Sequence, residues 1–184
     1  TSLSGAYLAA RTADVEKDVE SAARFYRDTL KGDPDNLLLL ERAVVLSAAA
    51  GDMPEARRFA DILRAAAPEN HVARLVTAVE QLRNGENAAA VGLSGDSAGV
   101  LANLISALLT SWATFGEGKV EQALTDLSQL AGESWYEPFK LLHSGYIALA
   151  AGRIDEALQA LEAARDEDAN AVRITQAYAH ALIA

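Results

Sequence analysis

Four glycines fall at a nearly constant interval: Gly51, Gly85, Gly118 and Gly152, separated by 34, 33 and 34 residues. The residues after each one also recur. Gly51 leads Asp52-Met53-Pro54-Glu55-Ala56, and Gly152 leads Arg153-Ile154-Asp155-Glu156-Ala157. Gly118 leads Lys119-Val120-Glu121-Gln122-Ala123, and Gly85 leads Glu86-Asn87-Ala88-Ala89-Ala90. One period earlier, Lys17-Asp18-Val19-Glu20-Ser21-Ala22 keeps the pattern without its Gly. A fixed period of this size restricts the chain to repeat architectures. It fits two helices of about 13–15 residues, each about 20 Å long, joined by two short turns. The Gly marks the turn inside each pair, where a positive φ is cheap only for Gly. The Ala five residues later lets the two helices approach closely.

Caps and stops agree with this division. Asp52 suits the N-cap of the following helix, Pro54 its first turn, and Glu55 completes a capping-box pattern. Pro34 and Pro68, also 34 apart, stop the second helices of the first two units. The spacing predicts helices near 4–14, 18–31, 36–50, 53–66, 71–84, 86–92, 97–115, 119–131, 137–151, 154–166 and 170–184, and no strand.

These residues resemble the tetratricopeptide repeat (TPR) family. That motif expects a small residue midway along the first helix, an Ala early in the second, a large or aromatic residue four positions later and a closing Pro. Ala22, Ala56, Ala90, Ala123 and Ala157 match the Ala; Gly145 matches the small residue of the fifth unit. Tyr26, Leu127 and Leu161 match the large residue, and Pro34 and Pro68 the closing Pro. The pattern departs in the third unit, which breaks down over Gly92 to Gly99, and in units three to five, which lack the Pro. The resemblance implies an all-α solenoid, a right-handed superhelix of about five TPR-like helical pairs plus a partial sixth, spanning 1–184 as one domain. The opening Ser2 to Arg11 also looks like the start of alphaproteobacterial TPR proteins that follow an export signal, which favours the bacterial periplasm over the cytoplasm.

In the TPR family the inner face comes from the first helix of each unit, at its second, fifth, ninth and twelfth positions. The resemblance therefore implies a partner-binding groove of Val72, Leu75, Val79 and Leu82 from unit three, and Ile105, Leu108, Trp112 and Phe115 from unit four. Unit five adds Phe139, Leu142, Tyr146 and Leu149. Each set is a single helical stripe in its own right. All are apolar or aromatic, without the Lys, Arg and Asn by which TPR grooves grip a terminal carboxylate. Such a surface suits an amphipathic helix or an apolar extended segment, with Trp112, Phe115 and Tyr146 as anchors. The same stripes also suit plain packing of each first helix on its neighbours. The first unit is different: Ser4, Tyr7, Arg11 and Asp14, with Glu41 and Arg42, read either as a polar mouth or as a solvated ion-pair face.

The remaining chemistry is sparse. No apolar run is long enough to span a bilayer, and a net charge of −10 argues against a nucleic-acid binder. The absence of cysteine removes disulfides, thiolate metal sites and thiol nucleophiles. Gly95-Asp96-Ser97-Ala98-Gly99 spells G-x-S-x-G, but a hydrolase elbow needs a strand before the Ser, and none is predicted. His71, His143 and His180 lack metal-ligand spacing and read as structural or surface residues. No metal, cofactor or catalytic residue is expected.

Residue 1 is Thr, and helix 171–184 has no stop signal, so we expect a fragment of a longer parent. The expected function is a non-enzymatic scaffold or adaptor binding an apolar or amphipathic segment of a partner protein. The alternatives are a self-assembling homodimer module, through the open 170–184 helix, and the docking or regulatory arm of a larger enzyme.

Overall fold

The computed structural model describes residues 3–16, 18–94 and 99–184. Among these, eleven α-helices and one 3-10 turn make up the ordered elements, with no strand. They are α1 Leu3–Val15, α2 Val19–Leu30, α3 Leu37–Ala49, α4 Met53–Ala66, α5 His71–Arg83, α6 Asn87–Ser94, α7 Val100–Gly116 and α8 Val120–Gln129. The turn Ser134–Tyr136 leads into α9 Glu137–Ala150, followed by α10 Ile154–Glu167 and α11 Val172–Ile183. The chain divides into two compact units, Thr1–Glu80 and Gln81–Ala184, with the boundary inside α5. In the first, α2 packs on α1 and α3, and α4 on α3. In the second, consecutive helices from α6 to α11 pack in series, and α9 also meets α7 and α11.

The repeating turn has one chemical form. Gly51, Gly85, Gly118 and Gly152 take φ values of 82°, 79°, 81° and 76°. Each ends its helix with the same two bonds. The Gly51 N–H donates to Ala48 O at 3.0 Å and the Asp52 N–H to Ser47 O at 2.9 Å. At Gly152 the matching bonds run to Leu149 O at 3.0 Å and from Arg153 N–H to Ala148 O at 2.9 Å. This is the Schellman closure, which satisfies the last carbonyls of a helix and requires a left-handed residue. Where the sequence lacks the Gly, the Asp18 N–H still reaches back to Ala13 O at 2.9 Å.

The turn then starts the next helix. Asp52 accepts the Glu55 N–H at 3.2 Å, as its cap role requires. The reciprocal half of the capping box does not form. The Asp52 N–H is already committed to the Schellman bond, so the Glu55 carboxylate turns to Arg58, taking two bonds of 2.8 Å. Between pairs, Asn36 and Asn70 cap α3 and α5, accepting from the Leu39 and Ala73 N–H groups. The stretch after α8 lacks a closing Pro. It ends instead in the 3-10 turn, which the sequence did not announce. A Cβ on Gly132 would lie 2.2 Å from the Tyr136 ring, so only Gly lets that ring fold in; its hydroxyl then donates to the Val100 carbonyl.

The core is built from small residues at the helix crossings. Ala22, Ala56, Ala90, Ala123 and Ala157, the recurrent alanines, are all fully buried. Gly145 on α9 shows why size is restricted there: a Cβ on it would meet the Leu161 side chain of α10 at 2.5 Å, and Leu161 is itself fully buried. Gly145→Ala, a change that stabilises an ordinary helix by about 1 kcal/mol, is expected here to destabilise the second unit by about 1–3 kcal/mol through overpacking. Urea unfolding followed by circular dichroism checks the sign.

Candidate functional site

Helix α7 contains no charged side chain. Its stripe Ile105, Leu108, Trp112 and Phe115 is half-buried. Buried residues flank that stripe on both sides, Leu104 and Ser111 on one and Leu109 and Ala113 on the other. Helix α9 divides into two sides: Gly145, Ile147 and Ala148 are buried, Leu142, Tyr146 and Leu149 half-buried, and Phe139 is 44% exposed. The inner atoms of Leu108, Trp112 and Phe115 lie on a core of Ala123, Leu127 and Ile147. Those of Leu142, Tyr146 and Leu149 lie on Leu161, Ala177 and Ala181. On α5, Val72, Leu75, Val79 and Leu82 are also half-buried, and Val72 packs on the core of the first unit.

A polar bond joins the α7 and α9 stripes. The Trp112 Nε1–H donates to His143 Nδ1 at 2.9 Å. Trp112 also meets the Phe115 ring edge-on at 5.7 Å, and His143 meets Tyr146 at 6.4 Å, so four rings run continuously across the two helices. Because Nδ1 accepts, the proton of the neutral ring sits on Nε2. Burial lowers the His143 pKa below its ordinary value. Protonation would also place a second donor against the Trp112 N–H.

Beside this cluster, α9 and α11 enclose a cleft of about 500 Å³. Phe139, Leu142, His143 and Tyr146 form one wall. Asp168, Val172, Arg173 and Ile174 form the other. Val172 on this wall is 67% exposed, and Trp135, 42% exposed, lies edge-on to Phe139 at 6.1 Å. The structure thus links the predicted stripes of α7 and α9 through Trp112 and His143, and places Phe139, Leu142 and Tyr146 in the cleft. It adds His143, Asp168, Val172 and Arg173, which the helical stripes left out of the groove. Two periodic signals were available: His143 stands four residues after Phe139 and three before Tyr146, and Arg173 falls 34 residues after Phe139.

The first-unit residues that read as a polar mouth or a solvated ion-pair face are described in part. Glu41 accepts the Asn70 side-chain N–H at 2.7 Å, tying α3 to the cap of α5. Arg11 and Arg42 are exposed, and the side chains of Ser4 and Asp14 lie outside those described. Four residues of the G-x-S-x-G match, 95–98, also lie outside the described residues; Gly99 directly precedes α7. His71 and His180 are exposed. Among the described residues no cluster of His, Asp and Glu could hold a metal ion, and no helix is long and apolar enough to cross a membrane.

A group whose folded pKa is depressed by burial of its neutral form, as for His143, contributes its full stability above the unfolded value, about 6.5 for His. That contribution falls away as pH drops below that value and the unfolded chain takes up the proton first. Both tryptophans belong to the second unit, so their fluorescence reports on its unfolding. Urea midpoints read this way are expected to fall as pH drops below about 6.5. The fall should be shallower in His143→Gln, and equal slopes would remove His143 as the cause.

No family model and no curated protein matches the chain. Solved structures do. A thermophilic TPR protein of Thermus thermophilus superposes over 100% of both chains with a TM-score of 0.69 at 19% identity. MamA of Desulfovibrio magneticus covers 92% of this chain and 97% of its own, with a TM-score of 0.62 at 13% identity. A tetratricopeptide repeat protein of Parabacteroides merdae covers 94% of this chain and 81% of its own, with a TM-score of 0.57 at 15% identity. With its period, its five buried alanines and its Schellman glycines, the chain has the tetratricopeptide-repeat fold.

Proposed function

We propose that the chain is a non-enzymatic protein–protein interaction scaffold, holding an apolar or amphipathic segment of a partner along the α7 and α9 stripes and in the α9–α11 cleft. The observation that carries this is the division of α9. One side is sealed against α10, while Phe139, Leu142 and Tyr146 line an open cleft. Large side chains left at a cleft wall gain about 1.5–3 kcal/mol each when a partner covers them. A few such anchors suffice for micromolar binding. The ring cluster of Phe115, Trp112, His143 and Tyr146 holds the floor in place, which lowers the ordering cost of association. The half-buried α5 stripe of Val72, Leu75, Val79 and Leu82 is proposed by itself as an apolar surface for a partner.

A photo-crosslinking residue at Phe139 is expected to trap a partner in cells that make the protein, while one at exposed Glu162 traps none. Phe139→Asp should reduce capture at least about tenfold, a loss of about 1.4 kcal/mol or more, and leave the circular dichroism unchanged. Equal trapping at both positions would reject the groove.

A second reading has its own observation. Leu182 and Ile183 on α11 are 59% and 84% exposed, and with Val172 they form an apolar edge fit for self-association. Light scattering over a concentration series tests it: a mass that does not change from micromolar to millimolar rules out the homodimer.

A further inference from the structure

The charge of the chain is unevenly divided. The second unit carries thirteen acidic against six basic side chains, so it holds −7 of the net −10. Most of its bases are already engaged. Lys119 pairs with Glu117, Lys140 with Glu137, and Arg153 with Glu121 and Glu156. Arg165 lies over the Tyr178 ring at 4.7 Å.

Three consecutive acids, Asp166, Glu167 and Asp168, stand at the end of α10, and Asp168 forms part of the cleft wall. The Asp168 carboxylate accepts one local bond, from the Asn170 N–H at 3.1 Å. Asp166 and Glu167 are exposed and make no ion pair. Their position is unfavourable. The C-terminal end of a helix carries the negative end of its dipole, where cations stabilise and anions do not. The one base on the cleft wall, Arg173, also makes no ion pair. The cleft lining thus carries one acid, Asp168, and one base, Arg173, while Asp166 and Glu167 next to Asp168 make the end of α10 acidic, with Arg165 in the same last turn.

We propose that the α9–α11 cleft takes an apolar anchor from a basic amphipathic partner segment, whose lysines or arginines lie against the Asp166–Asp168 edge. This rests on the scaffold reading above and names the chemistry of the partner. A cation at this edge relieves both the mutual repulsion of the three carboxylates and their conflict with the α10 dipole. An acidic segment would add to both.

Helical peptides of about four turns, sharing one Leu/Phe face and differing only in a Lys/Arg, Gln/Ser or Glu/Asp polar face, test this against the whole chain by fluorescence anisotropy. The basic peptide is expected to bind at least about tenfold more tightly than the acidic one. Raising salt from about 0.05 to 0.3 M should narrow the gap. Combining Asp166→Asn, Glu167→Gln and Asp168→Asn should bring basic and acidic peptides within about threefold of each other and leave the neutral one unchanged. Arg173→Gln should tighten the basic peptide.

If the acidic peptide binds as well as the basic one, the proposal fails and the scaffold reading stands. If no peptide binds, both fail for this cleft. Equal binding by a basic peptide without its apolar face would mean charge attraction alone, and would also overturn the proposal.

Discussion

The close approach of α9 and α10 depends on the absence of a side chain. Gly145 lets α10 come near enough for Leu161 to lie where a Cβ would otherwise sit. The recurrent alanines, fully buried on the second helix of each pair, leave only one methyl group at that position. Helices held this close bury little side chain per contact, so the fold gains its stability by repetition. The glycine turns follow from this. Each must reverse the chain within a few residues while satisfying the last carbonyls of one helix, and the left-handed Schellman closure does both.

That constraint also places the candidate site. With the second helix of each pair pressed against one side of the first, the opposite side is left for other neighbours. On α9 the neighbours besides α10 include α7, α8 and α11, and a cleft remains between α9 and α11. The half-buried state of Trp112, Leu142 and Tyr146 thus combines two roles. Their inner atoms pack on the core, and Leu142 and Tyr146 also line the α9–α11 cleft.

The helices could be read from the chain because their boundaries are local. Gly51, Gly85, Gly118 and Gly152 each end a helix by bonds within six residues, and Asp52 starts one by a bond three residues long. The stripes on α7 and α9 were legible for the same reason, since helical spacing alone puts their members on one side. What the sequence hid are pairings between distant side chains. Asn70 reaches Glu41 across 29 residues, His143 accepts from Trp112 across 31, and Tyr136 reaches Val100 across 36. No periodic pattern encodes these. The Glu55 capping box misled for a related reason, because the bond that displaced it belongs to the preceding helix.

The lack of charge on α7 has a consequence for how it is held. A rod of seventeen residues with only apolar and small polar side chains can slip lengthwise in its slot at little electrostatic cost. Two directional bonds oppose that slip. The Val100 carbonyl is held at one end by Tyr136, and the Trp112 indole is held near the other by His143. The two pegs stand about 18 Å apart along the axis, and together they fix the register in which α7 presents its ring-bearing side.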